Sequence, residues 1–411
     1  MKLLHISDWH VGLSTGPHAR REDHERVFAE IADAARFYKP DLILHTGDVF
    51  HQAIPAVDDL NFGLAALQAL AALAPTIVLR GNHDSDKLFR VFSLLLGPDS
   101  PLTFVDLPPR LQDGDPIIRR PADGGKTTIA LAPLPFISHN RFAQRYVDAE
   151  TQTVTFADAL GVYERTLGAM LVKSLVPSRE VAIFAAHQFV HGAHKSGSER
   201  AVHVGDEYAT RSGDIPAVSY AAFGHIHRPQ HIGGSSHVRY AGSPIQIDFG
   251  EEGEDKSIVF VEAKPRSTAR VEVLPLSGGR RLLSVSTSLA ELSSIAERCA
   301  GRLCRVTVHT ERPVTDLAER VAAALPGASI VDVVEDCPAT RISAIEDRDG
   351  GADQSLLELF DDFLAENPLA GAEVERVRKA FQVLHDSAES DEEATFGDFG
   401  VSESFGSEPA A

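Results

Sequence analysis

Short runs of mostly apolar residues recur along the first 280 positions, with amphipathic segments between them. The runs cover residues 3–6, 42–44, 77–79, 181–184 and 221–223. Apolar runs of this length predict strands that are buried on both faces. Residues 22–38 place Val27, Phe28 and Ile31 on one helical face, and residues 58–73 begin on an acidic cap and are rich in Leu and Ala. Alternating strands and helices predict a layered α/β domain over residues 1–280.

The rest of the chain predicts three further segments. Residues 281–347 repeat the α/β pattern on a smaller scale, with strands at 282–285, 304–309 and 329–334 and helices at 288–299 and 315–325. They predict a small capping domain that orients substrate. Residues 353–386 predict two helices split at 367–371, whose apolar stripes pack either on the chain itself or on a partner helix. Residues 387–411 are acidic and rich in Ser and Gly, which predicts a disordered tail.

Each strand-like run of the first domain ends in groups that bind metal ions. The five motifs are Asp8-Trp9-His10, Gly47-Asp48-Val49-Phe50, Gly81-Asn82-His83-Asp84, Ala186-His187 and Gly224-His225-Ile226-His227. Ligands in layered α/β domains lie at the carboxyl ends of strands, where all five motifs are placed. The set exceeds the needs of one ion and matches two ions that share a carboxylate, as in phosphate-ester cleavage. The predicted metal ligands are Asp8, His10, Asp48, Asn82, His187, His225 and His227.

The residue types also predict separate roles within the set. Asp48 has two carboxylate oxygens and follows a glycine, so it is the natural bridge between the ions. Mixed oxygen and nitrogen ligands without a thiolate favour Mn, Fe or Zn over Ca and over a structural zinc site. His83 is expected to donate a proton to the leaving oxygen, and Asp84 to orient its imidazole. His51 follows the second motif and is expected to lie close to substrate.

A single motif of this kind is usually structural, but five strand-end motifs in order do not arise together by chance. His5 and His45 lie inside apolar strands, so they are expected to be hydrogen-bonded groups of the core or neighbours of ligands. The stretch Gly124-Gly125-Lys126-Thr127-Thr128 looks like the end of a P-loop. Arg120 stands where the P-loop needs its first glycine, and a strand follows, so this stretch predicts a hairpin turn.

Charge and cysteine usage limit the functional classes. The net charge is −20, and seven of these negative charges lie in the tail, which leaves −13 for the body. Long-range attraction would therefore not be the main source of affinity for nucleic acid. The three cysteines, Cys299, Cys304 and Cys337, have no metal-site spacing and are expected to be buried thiols in a reducing cytosol. Neither a signal peptide nor a membrane span is apparent, which predicts a cytoplasmic protein.

The order of the motifs resembles the calcineurin-like metallophosphoesterase superfamily. Within it, Trp9, Phe50-His51 and the stretches at 224–230 and 240–246 resemble the SbcD family, the nuclease subunits of bacterial SbcCD DNA-repair complexes. The similarity is strong over residues 1–250. It implies a four-layer α/β/β/α sandwich that binds two Mn²⁺, with Mg²⁺, Fe or Zn as alternatives.

The resemblance also implies residue roles and partners. Asp8, His10, Asp48 and His227 match the ligands of one ion, and Asp48, Asn82, His187 and His225 match those of the other. His83 matches the residue that handles the leaving group, and His51 one that fits the DNA end. The family acts as a 3′–5′ double-strand exonuclease and a single-strand and hairpin endonuclease in double-strand-break repair and recombination. It forms a homodimer within a heterotetramer, in which C-terminal helices bind an SbcC-type ABC ATPase.

Two other functions fit the same motifs. The first is a phosphodiesterase or phosphatase of this fold acting on a small or protein substrate, which would have less need of the small domain and the helical pair. The second is a non-catalytic scaffold of a repair complex. The complete ligand set, together with His83 and Asp84, argues against it.

Overall fold

The structure is a computed structural model that describes residues 1–97, 99–138, 141–142, 155–196, 199, 210–338, 356–366 and 374–382. The chain divides into two compact units, Met1–Thr340 and Arg341–Ala411. Among the described residues, no helix has both the length and the apolar character needed to cross a membrane.

The first unit contains seventeen strands and six α-helices among its described residues. The strands are β1 (Lys2–Ile6), β2 (Ser14–Thr15), β3 (His18–Ala19), β4 (Leu42–His45), β5 (Thr76–Leu79), β6 (Leu102–Val105), β7 (Ile118–Ala122), β8 (Thr127–Leu134), β9 (Glu180–His187), β10 (Tyr220–Gly224), β11 (Gln230–Ile232), β12 (Ser235–Tyr240), β13 (Ser257–Glu262), β14 (Arg270–Pro275), β15 (Leu282–Ser288), β16 (Leu303–His309) and β17 (Ser329–Asp336). The helices are α1 (Arg21–Tyr38), α2 (Val57–Ala71), α3 (Asp86–Leu96), α4 (Phe156–Ser174), α5 (Ala296–Cys299) and α6 (Leu317–Ala324).

Two six-stranded sheets form the larger part of this unit. The first has the order β14-β13-β1-β4-β5-β6, and the second has the order β11-β12-β10-β9-β8-β7. The central strands are parallel in both sheets, whereas β13 and β14 of the first sheet and β7 and β11 of the second pair antiparallel. Parallel strands place all their carboxyl ends at one edge of a sheet, and this edge carries the polar motifs.

Three apolar cores divide this part into four layers. Leu3, Leu44 and Ile77 of the first sheet pack with Ile129 and Ile183 of the second, so the two sheets are packed face to face. A second core covers the outer face of the first sheet with α1, α2 and α3. A third packs α4 against the outer face of the second sheet. The predicted α/β/β/α sandwich is confirmed, and burial on both faces explains why the strands are continuously apolar.

Two local predictions differ in their outcome. Asp58 does not cap the second helix. The N-cap of α2 is Ala56, which makes no side-chain hydrogen bond, and Asp58 lies in the first turn. An acidic side chain there interacts favourably with the helix dipole. The hairpin predicted at Gly124-Gly125 is confirmed, since residues Asp123–Gly125 form a single turn between antiparallel β7 and β8. Gly124 and Gly125 have φ of 60° and 87°, values that glycine adopts without strain.

Strands β15, β16 and β17 form a separate parallel sheet with its own core. The helix predicted at 288–299 is instead a 3₁₀ segment, Leu289–Ile295, followed by the single turn α5. Cys299 and Cys304 lie in this core, and these two and Cys337 are buried free thiols, as predicted. Since this sheet belongs to the same compact unit, a domain boundary at residue 280 stays a prediction.

The described part of the second unit consists of α7 (Leu356–Glu366) and a helix at residues 374–382. The rings of Phe360 and Phe381 stack with centroids 3.7 Å apart, and Arg378 donates to Asp361 at 2.6 Å. The two predicted helices therefore pack on each other. The predicted linker at 367–371 and the predicted tail at 387–411 lie outside the described residues.

A buried carboxylate joins α1 to the start of the small sheet. Asp23 accepts hydrogen bonds from Arg20 at 2.7 Å and from Arg280 at 2.9 Å, and both Arg20 and Asp23 are fully buried. Arg280 also donates to Ser329 Oγ of β17 at 3.2 Å. Burial alone would raise the pKa of Asp23, but the hydrogen bonds from Arg280 and Arg20 outweigh it and lower the pKa to about 2.

We expect Asp23→Asn to destabilise the protein by about 3–5 kcal/mol, because it leaves the Arg20 guanidinium buried without a counter-charge. The free energy of unfolding in urea measures this. The matched control is Asp33→Asn on the same helix, where Asp33 is 75% exposed and pairs with Arg36, and it should change stability by less than about 0.5 kcal/mol.

The stability difference between the parent and Asp23→Asn should depend on pH. Because the folded-state pKa of Asp23 is lowered, its carboxylate stabilises the fold fully above the usual pKa of 3.8, and this contribution is lost as the pH falls towards 2. The stability difference between parent and Asp23→Asn should therefore shrink over that range. A difference that stays constant would show that the ionised carboxylate is not the stabilising form.

Candidate metal centre

The five motifs meet at one edge of the sandwich because they directly follow parallel strands of both sheets. Asp8, Asp48 and Asn82 follow β1, β4 and β5 of the first sheet, while His187 ends β9 and His225 follows β10 of the second. The first two loops extend the pairing of their strands, with hydrogen bonds from Asp8 N to the Gly47 carbonyl at 2.9 Å and from His10 N to the Asp48 carbonyl at 3.0 Å.

The backbone in these loops is strained. Asp8, His10, Asp48 and His225 have φ of 51°, 50°, 56° and 101°, although none is glycine. The left-handed conformation costs about 1–2 kcal/mol per non-glycine residue, and such strain is concentrated at functional sites. Gly81 lies so close to Asp48 that a Cβ at this position would be 2.1 Å from Asp48 Oδ1, so only glycine fits there.

The side chains turn their donor atoms towards one another. The donor atoms of Asp8, His10 and His227 all lie within 4.8 Å of one another, and so do those of Asp8, Asp48 and His187. The Nε2 atoms of His10 and His227 are 3.2 Å apart. Asp48 Oδ2 is 3.6 Å from His10 Nε2 and 3.5 Å from His187 Nε2, so this carboxylate lies between the two groups.

Asn82 and His225 extend the second group. Asn82 Oδ1 lies 2.8 Å from both His187 Nε2 and His225 Nδ1. The structure therefore brings all seven residues predicted as metal ligands into one cluster, in which Asn82 is half-buried and the other six are buried. Asp8 belongs to both sets of three donors, and its carboxylate also accepts from the backbone nitrogen of His225 at 3.1 Å.

The imidazoles are oriented by groups that the sequence pattern did not single out. The Thr46 carbonyl lies 2.7 Å from His187 Nδ1, and Glu251 Oε1 lies 3.1 Å from His227 Nδ1. A carbonyl oxygen only accepts, so Nδ1 of His187 carries a hydrogen towards Thr46, and its Nε2 faces the cluster beside Asn82 Oδ1. Neither partner belongs to a motif: Thr46 acts through its backbone, and Glu251 is 24 residues away from His227.

Trp9 fixes the first motif from behind. Its buried ring packs against the Phe28 ring of α1 at 4.1 Å and edge-on against His45 at 4.8 Å. His24 Nε2 lies 2.6 Å from the Trp9 carbonyl, between the two ligands Asp8 and His10. These contacts hold a strained turn in place.

Burial and mutual charge perturb the ligand groups strongly. Burial raises the pKa of Asp8 to about 6, although His187 and His227 act in the opposite direction. Burial would also raise the pKa of Asp48, but the imidazoles of His187 and His83 hold it well below its usual range. Burial lowers the pKa of His10 well below its ordinary value, whereas His227 has a pKa of about 9 because Glu251 outweighs the effect of burial.

These residues fit divalent metal ions. The Nε2 atoms of His10 and His227 are 3.2 Å apart, and Asp48 Oδ2 is 3.6 Å from the first of them, so three groups that can bind a cation face one another. No thiolate lies among these seven residues, and oxygen with imidazole ligands suits Mn, Fe or Zn. Cations at these positions would neutralise the buried carboxylates and offset the cost of their desolvation.

The three residues expected to act on substrate lie beside the cluster. His83 is half-buried, its ring is 4.6 Å from that of His10, and its backbone nitrogen donates to Asp48 Oδ1 at 2.8 Å. His83 Nδ1 lies 2.7 Å from the His51 carbonyl. Asp84 accepts from the backbone nitrogens of Gly81 at 2.9 Å and Phe50 at 3.0 Å, which ties the second and third motifs together. That it also orients His83 stays a prediction.

The histidines expected to be structural lie in the core. His5 Nδ1 is 2.9 Å from the Tyr220 hydroxyl, and His5 Nε2 is 3.0 Å from Thr46 Oγ1. Burial lowers the pKa of both His5 and His45 to about 3, so both are neutral at physiological pH. His45 Nδ1 accepts from the Gly47 backbone at 3.2 Å, just before Asp48.

The chain is similar to several known proteins. Three relatives are named as the D subunit of the nuclease SbcCD. The protein of Bacillus subtilis (strain 168) is 29% identical over 301 residues, which cover 72% of this chain and 75% of the relative. That of Escherichia coli (strain K12) is 26% identical over 395 residues, covering 93% and 97%. That of Rhodobacter capsulatus is 26% identical over 352 residues, covering 79% and 84%.

The model of one protein family, the calcineurin-like phosphoesterases, matches residues 1–229. This range contains both sheets' ligand-bearing strands and all seven residues of the cluster. The chain belongs to the calcineurin-like phosphoesterase family.

Proposed function

We propose that this chain is the nuclease subunit of an SbcCD-type complex, a metal-dependent enzyme that hydrolyses DNA phosphodiester bonds. One observation carries the proposal: the seven residues proposed as ligands of two metal ions converge at the strand ends, with His83 beside them. The chain also aligns over 93% of its length with a relative named as such a nuclease. The activities proposed are 3′–5′ exonuclease on duplex ends and endonuclease on single strands and hairpins.

We assign Asp8, His10, Asp48 and His227 to one ion and Asp48, Asn82, His187 and His225 to the other, with Mn²⁺ as the proposed metal. When bound, two such ions activate a water for attack on phosphorus and stabilise the charge that develops. The chain's own part is to hold the ligands in strained loops and in fixed tautomers, so that little reorganisation is needed during reaction.

His83 is the proposed proton donor to the leaving oxygen. Its Nδ1 hydrogen is held by the His51 carbonyl, which leaves Nε2 for the substrate. Its backbone bond to Asp48 fixes its distance from the ligand cluster. His51 lies next to it, with ring centroids 5.6 Å apart, and is the proposed contact to the DNA end.

We expect His83→Asn to keep two metal ions per chain but to lose about 10²–10⁴-fold in the rate of Mn²⁺-dependent cleavage of end-labelled duplex DNA, the usual contribution of a general acid. Gel assays of cleavage and metal analysis of the dialysed protein measure the two properties. His231→Asn, at an exposed position of strand β11, is the control and should retain full activity. A His83→Asn variant that cuts at the parent rate would contradict the role.

Asp48→Ala is the contrasting variant of this experiment. It removes the carboxylate that lies between the two groups of ligands, so both metal binding and cleavage should be lost. Full metal occupancy in Asp48→Ala would contradict the bridging role.

Parallel assays with bis-p-nitrophenyl phosphate and a cyclic nucleotide distinguish a nuclease from a small-molecule phosphodiesterase, since only the nuclease should prefer DNA.

An ABC ATPase of the SbcC type is the proposed partner, and the helices at 356–366 and 374–382 are its proposed docking site. The net charge of the body is −13 without the tail, so this chain has little electrostatic attraction for DNA of its own. A partner that encloses the DNA would raise the effective local concentration of substrate.

We therefore expect duplex DNA to bind about 100-fold more tightly, or better, when the ATPase and ATP are added. Fluorescence anisotropy of a labelled duplex, with this chain alone and in the complex, measures the difference. Equally tight binding by the chain alone would contradict the proposal without touching the assignment of the metal site.

A homodimer is proposed through α3. Val91, Leu94 and Leu95 share one face of this helix and are 46%, 77% and 79% exposed, and α3 directly follows the third motif. Sedimentation of the parent should give about twice the chain mass of 44.3 kDa. Leu94→Glu with Leu95→Glu should shift it to the monomer, whereas Val172→Glu at an exposed position of α4 should not. A monomeric parent would contradict the proposal.

The cytoplasm is the proposed location. The DNA substrate lies there, and the three buried thiols would remain reduced.

A further inference from the structure

Glu251 lies directly behind His227, on the side away from the other metal ligands. Its Oε1 is 3.1 Å from His227 Nδ1, and its Oε2 accepts from the Ile247 backbone at 3.1 Å. The side chain is fully buried. A carboxylate in this position keeps the hydrogen on Nδ1, so that Nε2 of His227 faces His10 and the metal.

Lys256 balances the charge of this carboxylate. Its Nζ lies 2.6 Å from Glu251 Oε2 and donates to the His227 carbonyl at 3.0 Å. Lys256 is 4% exposed, so the ion pair is almost completely removed from water. The pair therefore contacts His227 at two points. Glu251 bonds its imidazole, and Lys256 bonds its backbone carbonyl.

We propose that Glu251, with Lys256 as its counter-ion, is a positioning residue that sets the affinity of the metal ion bound by Asp8, His10 and His227. Partners of metal-ligating histidines of this kind typically contribute about 10–100-fold to metal affinity. The proposal rests on the proposed function only in taking these residues as metal ligands.

A purely structural role for the pair is the less satisfactory explanation. Burying two charges costs several kcal/mol, and buried ion pairs can often be replaced by apolar residues without loss of stability. In this chain the pair lies where the carboxylate contacts the imidazole of a proposed ligand, on the side away from the cluster. Within the described part of the chain, His227 is the ligand that it holds, so loss of the pair should affect one ion and leave the other unchanged.

Glu251 also belongs to a turn that contacts the small sheet of β15, β16 and β17. Residues Phe249–Glu251 form a single 3₁₀ turn, and the Arg305 guanidinium of β16 lies 4.2 Å from the Phe249 ring centroid. Glu252, the next residue, accepts from the Ser284 backbone of β15 at 3.0 Å. Glu252 thus offers a matched control: it belongs to the same segment and has the same charge, but its carboxylate is bonded to the small sheet.

The test uses the full chain, freed of metal and titrated with Co²⁺ and with Mn²⁺. Co²⁺ binding is followed by visible absorption and Mn²⁺ binding by calorimetry. Three variants are compared with the parent. The glutamine double variant, Glu251→Gln with Lys256→Met, keeps a hydrogen-bond acceptor but removes both charges. The methionine double variant, Glu251→Met with Lys256→Met, removes the acceptor as well, and Glu252→Gln is the control. Thermal unfolding without metal reports whether each variant is folded.

The methionine double variant should bind one of two ions about 10–100-fold more weakly, with an altered Co²⁺ spectrum, and the glutamine double variant should fall between it and the parent. Glu252→Gln should bind as the parent does. Parent affinity for both ions in the folded methionine variant would overturn the inference. Should that variant not fold, parent affinity in the glutamine variant would overturn it. A parent that binds no metal would instead refute the proposed function.

Discussion

The face-to-face packing of the two sheets is the constraint on which the site depends. Asp8, Asp48 and Asn82 come from the first sheet, and His187, His225 and His227 from the second. Neither sheet alone holds a complete set of the proposed ligands for either proposed ion. The apolar core between the sheets brings their carboxyl-terminal edges to the same place, and this core is built from the same strands whose ends carry the ligands. Folding and assembly of the site are therefore one process.

This arrangement carries a cost that the rest of the structure must offset. Four residues of the cluster have left-handed backbone conformations, and its carboxylates and imidazoles are buried together. The structure meets the cost in several ways. Trp9 and His24 hold the first loop, Asp84 ties the second loop to the third, and Glu251 with Lys256 holds His227. Such support is what makes a rigid metal site, since ligands held in advance need little rearrangement when an ion or a substrate binds.

The net charge of the whole chain repels DNA phosphates, whereas a metal-occupied site would attract them. A centre occupied by two divalent ions would attract a phosphodiester, yet the body around it carries a net charge of −13 without the tail. Local attraction and long-range repulsion together favour a nuclease that cuts DNA delivered by another component. The proposed ATPase partner supplies that component, and the paired helices of the second unit, which stack Phe360 on Phe381, present a compact element for docking.

The sequence by itself determined the layered α/β class, and it singled out the seven residues of the cluster and the position of each after a strand. It could do so because strand burial and strand ends leave local patterns: continuous apolar runs, and polar groups where the runs stop. Local patterns were less reliable at helix ends, where Ala56 rather than Asp58 caps α2, and in the small domain, where a predicted helix is largely a 3₁₀ segment.

Only the tertiary structure decided which groups hold the ligands in place. The Thr46 carbonyl that orients His187 and the Glu251 carboxylate that orients His227 have no motif, because each acts across the fold on a residue far away in the chain. The same holds for Asp84, whose hydrogen bonds from the backbone of Gly81 and Phe50 tie two loops together, a role that its sequence position does not reveal. Sequence proximity constrains the backbone, but the direction of a side chain follows from packing among elements that are distant in sequence.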